Sequence, residues 1–446
     1  MKEKSCFNEF VKYVTLNILG MIGLSCYILA DTFFVSWKLG ADGLAALNLA
    51  IPVYSFNHGT GLMLGMGGAT RYTIARNQKR FREANEIFTR TILIAICFML
   101  LFAGIGLWGS DTLASILGAE GEIHTMTETY LKVLLLYSPA FIFNDIFLAF
   151  VRNDGEPQLA MTGMLVGNFS NVILDYIFML RFHMGIFGAV LATGMAAVIS
   201  LCVLSIHFIR KKNQFHFVKV LLRVRPCFRI LVTGVPSLVT ELSSGIVMIV
   251  FNSIILSLQG NPGVAAYGVI ANILLVIVGI YTGISQGIQP LLSKYFGRGE
   301  KEKIQKIFQY AMTTVAGLSI LIYTGLFMGA DGIVGLFNSE GNALMQKIAV
   351  DGMKLYFLAC IFAGWNIVFT TYFASTDRIK PANVISILRG FVLIIPVTFL
   401  MAFLGNMTGL WLAFPVTEVL VFILGVTVYF WGKEHSINNG RNAKAK

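Results

Sequence analysis

Residues 17–36 read NILGMIGLSCYILADTFFVS, an apolar run of membrane-spanning length with one carboxylate, Asp31, near its end. A helix crosses the hydrocarbon core with about 20 apolar residues. A charge held there costs about 2.5–3.5 kcal/mol on insertion scales. The run therefore reads as a transmembrane helix whose acid faces a protein interior or a water-filled cavity. A second acid, Asp175, stands near the end of another such run, MTGMLVGNFSNVILDYIFM at 161–179. Two costly acids in separate spans point to the handling of an ion or a proton.

Runs of this kind fill the chain. Of its 446 residues 56% are hydrophobic and only 13% charged, and its mean hydropathy is +0.74. Soluble domains carry about 25% charged residues. Twelve spans are expected, at 10–36, 44–70, 87–108, 125–151, 157–181, 185–210, 228–257, 263–290, 304–327, 345–374, 382–404 and 407–431. The fold class is an all-α polytopic membrane protein. The opening MKEKSCFNEF has no short apolar core followed by a small-residue cleavage site, so no signal peptide is expected.

The net charge of +11 is a topology signal rather than a nucleic-acid footprint. Basic residues gather in alternate loops: Arg71, Arg76, Lys79, Arg80 and Arg82; then Arg210 through Arg229; then Lys294 through Lys306. The loops around Asp111–Glu128 and Asp331–Glu340 are acidic. The asymmetry places the basic loops and both termini in the cytoplasm, and an even number of spans agrees. The six cysteines show no C-x-x-C pairing and are expected to serve as buried small hydrophobes, not as disulfides or metal ligands.

A shift of 220 positions lays GLAALNLAIP, from Gly43, over GVAAYGVIAN, from Gly263. Gly59 then meets Gly279, Gly67 meets Gly287, and Ile87-Phe88 meets Ile307-Phe308. With small changes of offset, Pro157 meets Pro381 and GAVLA from Gly188 meets GLWLA from Gly409. The ordered matches indicate a duplication. Six spans is an even number, so the halves are parallel repeats, which bind substrate between them. The expected organisation is a first lobe at 1–210, a cytoplasmic basic linker at 211–227, a second lobe at 228–432 and a polar cytoplasmic tail at 433–446. The small-residue series Gly61/Gly65, Gly163/Gly167 and Gly279/Gly283/Gly287 are expected at close helix contacts. Pro52, Pro139, Pro290, Pro396 and Pro415 mark kinks or gates.

At 1.5 Å per residue, Asp31 lies about 9 Å from the outer end of span 1, and Asp175 about 9 Å from the outer end of span 5. Thr193 lies roughly 12 Å down span 6. Asn171 is one helical turn below Asp175 on the same face, with Asn168 a further turn below. Asp31, Asn171, Asp175 and Thr193 thus share one slab. They offer hard oxygen ligands suited to Na+, or carboxylates able to share a proton. The plainer alternative is that each acid hydrogen-bonds a neighbouring helix. Asn168, Glu241, Gln286 and His58 are candidates for lining a substrate cavity; the numerous Phe and Met side chains suit an apolar cavity, but lipid-facing surface accounts for most of them. Asn144 and Asp145 lie about 10 Å from Arg152 along their helix, where basic loop residues are alternative partners.

The stretches ILADTFFVSWKLGADGLAALNLAIP (28–52), VRNDGEPQLAMTGMLVGNFSNVILDYIFM (151–179) and GIFGAVLATGMA (185–196) together resemble the multidrug and toxin extrusion (MATE) family. The Arg152–Pro157 stretch is similar to its bacterial DinF and MepA-like branch. The resemblance implies twelve helices in two six-helix lobes around a V-shaped cavity, in a bacterial inner membrane. It implies drug efflux by alternating access, driven by Na+ or H+, with the first-lobe cation site on Asp31, Asn171, Asp175 and Thr193. Many relatives have a proline in span 1, where this chain reads Thr15-Leu16-Asn17-Ile18, while Pro236 stands in the second half. A proline-driven bend of span 1 is therefore not expected. Glu241 falls about one turn early for the acid that some branches carry in span 7, and span 10 reads CIFAGWNIVFTTYF without an acid. No second-lobe cation site is expected.

The expected function is a monomeric antiporter exporting amphipathic cationic compounds, with Na+ or H+ as coupling ion and no other cofactor. The alternative is a flippase for a lipid-linked saccharide or other large amphiphile, whose cavity should be more basic to hold a pyrophosphate. No H-E-x-x-H, nucleophile elbow or phosphate loop is present, so an enzyme is not expected.

Overall fold

A computed structural model describes residues 6–221, 223–338 and 341–444, with side chains described as far as Trp431. Residues 1–5 of the opening stretch, Glu340 of the second acidic loop and the last two residues of the tail lie outside the described residues. The helices are α1 (Cys6–Asn77), α2 (Phe81–Trp108), α3 (Ser110–Ile116), α4 (Gly121–Leu136), α5 (Ser138–Asn153), α6 (Pro157–Asp175) and α7 (Gly185–Ile209) in the first half. In the second half they are α8 (Val224–Gly297), α9 (Lys301–Phe337), α10 (Ala343–Tyr356), α11 (Cys360–Ser375), α12 (Ile379–Ile387) and α13 (Ile394–Lys444). Two π-helical turns, Tyr176–Arg181 and Leu388–Val392, follow α6 and α12. There is no strand among the described residues.

A straight helix of the 72 residues in α1 would be about 108 Å long, far beyond a bilayer. The chain instead turns back at Gly40 (φ 64°, ψ −148°), a backbone state that glycine reaches without a Cβ penalty. Tyr27 and Tyr54, on either side of that turn, meet hydroxyl to hydroxyl at 3.1 Å. In α8 the turn falls at Gly260 (φ 62°, ψ −156°), and Phe251 stacks on Tyr267 across it. The third turn is at Gly405 and Asn406 in α13. Among the described residues, nine runs are long and apolar enough to cross a membrane, counting the bent pair α4–α5 as one. Three of these fold back at their internal turns, which is consistent with the twelve expected crossings.

Some boundaries differ from the sequence expectation. Span 4 is broken by 49° between α4 and α5, where Pro139 sits at the start of α5. Helix α9 runs on to Phe337, so Asp331 lies on a helix and not in an acidic loop. Buried Ala330 and Val334 pack that extra length against the second-half core. Helix α8 begins at Val224, shortening the linker. There Lys212 Nζ stands 2.6 Å from Glu156 Oε1, and that hydrogen bond holds the Glu156 carboxyl below its usual range. The cysteines correct the expectation of burial: only Cys360 is buried, and Cys26, Cys97 and Cys202 are exposed. In a membrane an apolar side chain is as well placed against lipid as against protein, so residence in an apolar run does not imply burial.

The small-residue series do mark close contacts. Added Cβ atoms at Gly279, Gly283 and Gly287 would lie 3.0 Å from Ser25 Oγ, 2.8 Å from Ile18 Cα and 2.7 Å from Val14 Cα. This stripe seats the second arm of α8 directly on the backbone of α1. Gly234 of α8 likewise lies against Met63 of α1, and Gly67 against Ile230 and Gly234. The large core of the second half accordingly takes in Phe10 and Val14 from α1.

Hydrogen bonds between the halves gather at one end of the bundle. Lys294 Nζ donates to Glu9 Oε1 at 3.0 Å and Arg71 Nη1 to Asp377 Oδ1 at 3.1 Å. Arg298 Nε donates to Asn77 Oδ1 at 3.0 Å, and Gln289 Nε2 to Thr70 Oγ1 at 2.8 Å. This is the end that carries the basic loops. The end that carries the Gly40 and Gly260 turns has no such bond among the described residues. The halves are therefore pinned together at the basic end.

Candidate functional site

The four residues placed in one slab by counting are brought together. Asp31 comes from the first arm of α1, Asn171 and Asp175 from α6, and Thr193 from α7, and all four are buried. The Asp31 and Asp175 carboxyls lie within interaction range of each other. Two buried carboxylates held near each other favour a shared proton or a cation between them. Asn171 joins Asp175 to Thr193. Its amide is assigned with Nδ2 donating to Asp175 Oδ2 (3.0 Å) and its oxygen accepting from Thr193 Oγ1 (3.3 Å). Oδ1 of Asp31 and Oδ1 of Asp175 are buried and receive no hydrogen bond. A buried charge without a partner is expensive, so both oxygens suit a proton or a small hard cation. The chain passes from α-helix to a π turn immediately after Asp175, an irregularity that recurs at functional sites.

Asn171 and Thr193 also face a cavity of about 100 Å³. Asn168, Glu241, Gln286 and His58 all line it, with Met21, Met66, Met164, Tyr27, Tyr54 and Phe141. Only Glu241, Thr282 and Gln286 come from the second half. Asp145 lines it too, facing His58 Nδ1 at 3.0 Å. This corrects the alternative of a basic loop partner: the second arm of α1 sets His58 opposite α5, a pairing across helices that spacing within one helix does not encode.

Arg152 has a role that its place in the Arg152–Pro157 motif does not disclose. It is 3% exposed, and its Nη1 donates to Asn17 Oδ1 and to Gln286 Oε1, both at 2.7 Å. One guanidinium thereby ties α1, α5 and α8 at the cavity floor. A second missed group is Glu418, fully buried in the second half. Arg389 Nε donates to its Oε1 and Asn366 Nδ2 to its Oε2, both at 2.7 Å. That acid already holds a permanent cation, whereas Asp31 and Asp175 have no basic side chain against them among the described residues. The signal available was Arg389 itself, a charge inside an apolar span that needs a partner.

A duplicated bundle of membrane-crossing helices, pinned at one end around a cavity beside unpaired buried acids, defines a polytopic membrane transporter. The MatE family model matches residues 17–177 and again 236–400, one stretch in each half. The chain belongs to the MatE family. Among similar proteins, the multidrug export protein MepA of Staphylococcus saprophyticus is 24% identical over 433 residues, 96% of this chain and 94% of the relative. MepA of Staphylococcus haemolyticus is 26% identical over 434 residues with the same coverage. Among solved structures, an outward-facing multidrug resistance MATE transporter of the MOP superfamily aligns with a TM-score of 0.88 at 21% identity, covering 96% of this chain and 95% of that one. A MOP superfamily transporter from Pyrococcus furiosus aligns with a TM-score of 0.87 at 20% identity over the same shares.

Proposed function

We propose that this chain is a secondary active exporter of amphipathic cationic compounds, driven by Na+ or H+ moving inward through a bacterial inner membrane. The observation that carries the reading is the pair of neighbouring buried carboxyls, each with an oxygen that receives no hydrogen bond, joined through Asn171 and Thr193 to the cavity those two residues line. Asp31 and Asp175 bind the coupling ion, and Asn171 and Thr193 complete its surroundings and face the cavity. Asn168, Glu241, Gln286 and His58 line the substrate space. The printed names of the MepA relatives support the export of drugs.

With the basic end in the cytoplasm, the pinned state is open toward the outside. A cation entering from outside meets the acid pair, and a drug bound between the halves leaves on the same side. Exchange requires that ion and drug favour different states of one cavity, and linkage makes that preference reciprocal. The charged lining mixes Asp145 and Glu241 with His58 and Arg152, and Arg152 is already committed to Asn17 and Gln286. No basic cluster is left for a pyrophosphate, so the flippase alternative gains no support.

The test is drug-driven ion flux in proteoliposomes. Asp175→Asn, close to isosteric, is expected to abolish drug-dependent ion movement while the protein stays folded. Wild-type coupling retained in that variant would remove Asp175 from the ion path.

A further inference from the structure

An irregular strap joins α7 to α8, and its first part is fastened to the first half. Phe215 is buried, its ring centroid 4.7 Å from that of Phe88 and 5.5 Å from those of Phe150 and Phe208. Around it the backbone donates to first-half side chains: Gln214 N to Asp154 Oδ2 at 2.8 Å, and His216 N to Asn85 Oδ1 and Val218 N to Thr89 Oγ1, both at 3.1 Å. Past this anchor the strap is open. Leu221 is 75% and Val224 85% exposed, and Phe217 and Phe228 are exposed as well. Interleaved with them are Lys219, Arg223 and Arg225, all exposed and without an ion pair among the described residues.

Irregular backbone does not enter hydrocarbon uncovered, so the strap lies at headgroup level beside the ends of α7 and α8. Exposed apolar side chains alternating with cations suit that level: the apolar groups seat among acyl chains and the cations meet phosphate. The cations do not serve α8 itself, because positive charge opposes the dipole at its first turn and no acid there offsets it. A topology signal explains the cations but not the apolar residues between them, since orientation is set by positive charge alone. We propose that Phe217, Lys219, Leu221, Arg223, Val224 and Arg225 form a docking strip for anionic phospholipid in the leaflet at the basic end. The strip goes beyond the efflux reading and does not depend on it.

Native mass spectrometry of the purified full-length chain, titrated in detergent with dioleoylphosphatidylglycerol or dioleoylphosphatidylcholine, tests this. The wild type is expected to bind the anionic lipid at least tenfold more tightly than the zwitterionic one. Lys219→Gln/Arg223→Gln/Arg225→Gln is expected to lose at least fivefold of that preference. Lys79→Gln/Lys301→Gln/Lys306→Gln removes the same charge from exposed positions at the same end and is expected to stay within twofold of the wild type. Leu221→Gln/Val224→Gln keeps the charge and is expected to weaken binding of the anionic lipid at least threefold, a loss that a site for free phosphate would not show. This double variant also decides the matter if the triple variant of the strap does not fold. A wild type without preference for the anionic lipid, an equal loss in the two triple variants, or unchanged binding by Leu221→Gln/Val224→Gln would overturn the strip while the efflux reading stands.

Discussion

Gln286→Ala removes the hydrogen bond by which the Arg152 guanidinium, also bonded to Asn17 of its own half, reaches across to the second half. Arg152 is 3% exposed and has no carboxylate partner among the described residues, so the change removes one of the two oxygen acceptors of its Nη1. A hydrogen bond to a charged group contributes about 1.5–3 kcal/mol. That corresponds to a shift of roughly 10- to 150-fold in an equilibrium, at about 1.4 kcal/mol per factor of ten. The bond joins α5 of the first half to α8 of the second and can exist only in the closed arrangement. Its loss therefore moves the population toward separation at the basic end. Spin labels at the exposed positions Gln78 and Lys380, one on each half near the Arg71–Asp377 pair, report that separation by electron–electron double resonance in a cysteine-free background. The expected result is a longer-distance population that grows at least tenfold relative to the closed one. An unchanged distance distribution in Gln286→Ala would refute the role of Arg152 as a tie between the halves.

Two further outcomes follow from the packing. Gly283→Val places a side chain where even a Cβ would be 2.8 Å from Ile18 Cα, and overpacking of this kind costs about 1–3 kcal/mol; a lowered melting temperature in detergent is expected, and an unshifted melt would show that the α1–α8 contact can relax. Arg389→Met leaves the buried Glu418 without its cation, a change that costs about 3–5 kcal/mol. The double variant Arg389→Met/Glu418→Leu should recover much of that loss in the same melt, whereas a double variant no more stable than the single one would deny that the pair is structural.

The sequence revealed depth more readily than direction. Counting residues from span ends set Asp31, Asp175 and Thr193 at matching levels, because an α-helix has a fixed rise, and the structure brings their side chains into one cluster. The glycine stripe of α8 was also readable, since small residues at a four-residue spacing have few reasons other than close approach. What a linear reading lacks is the facing of one helix to another. Asp145 was assigned by its distance from Arg152 along α5, but it meets His58 from a different helix. The Arg389–Glu418 pair joins residues from separate spans and went unnoticed for the same reason. The three exposed cysteines illustrate the remaining gap: lipid and protein interior are nearly equivalent to an apolar side chain, so hydropathy does not separate them.

The most direct test of the central claim is drug efflux from liposomes in which Na+ and pH gradients are imposed independently. An inward gradient of one of these ions should accelerate efflux in the wild type, and Asp175→Asn should show no acceleration by either. Wild-type efflux indifferent to both gradients, or an Asp175→Asn response equal to that of the wild type, would contradict the assignment of Asp31 and Asp175 as the site through which the driving ion passes.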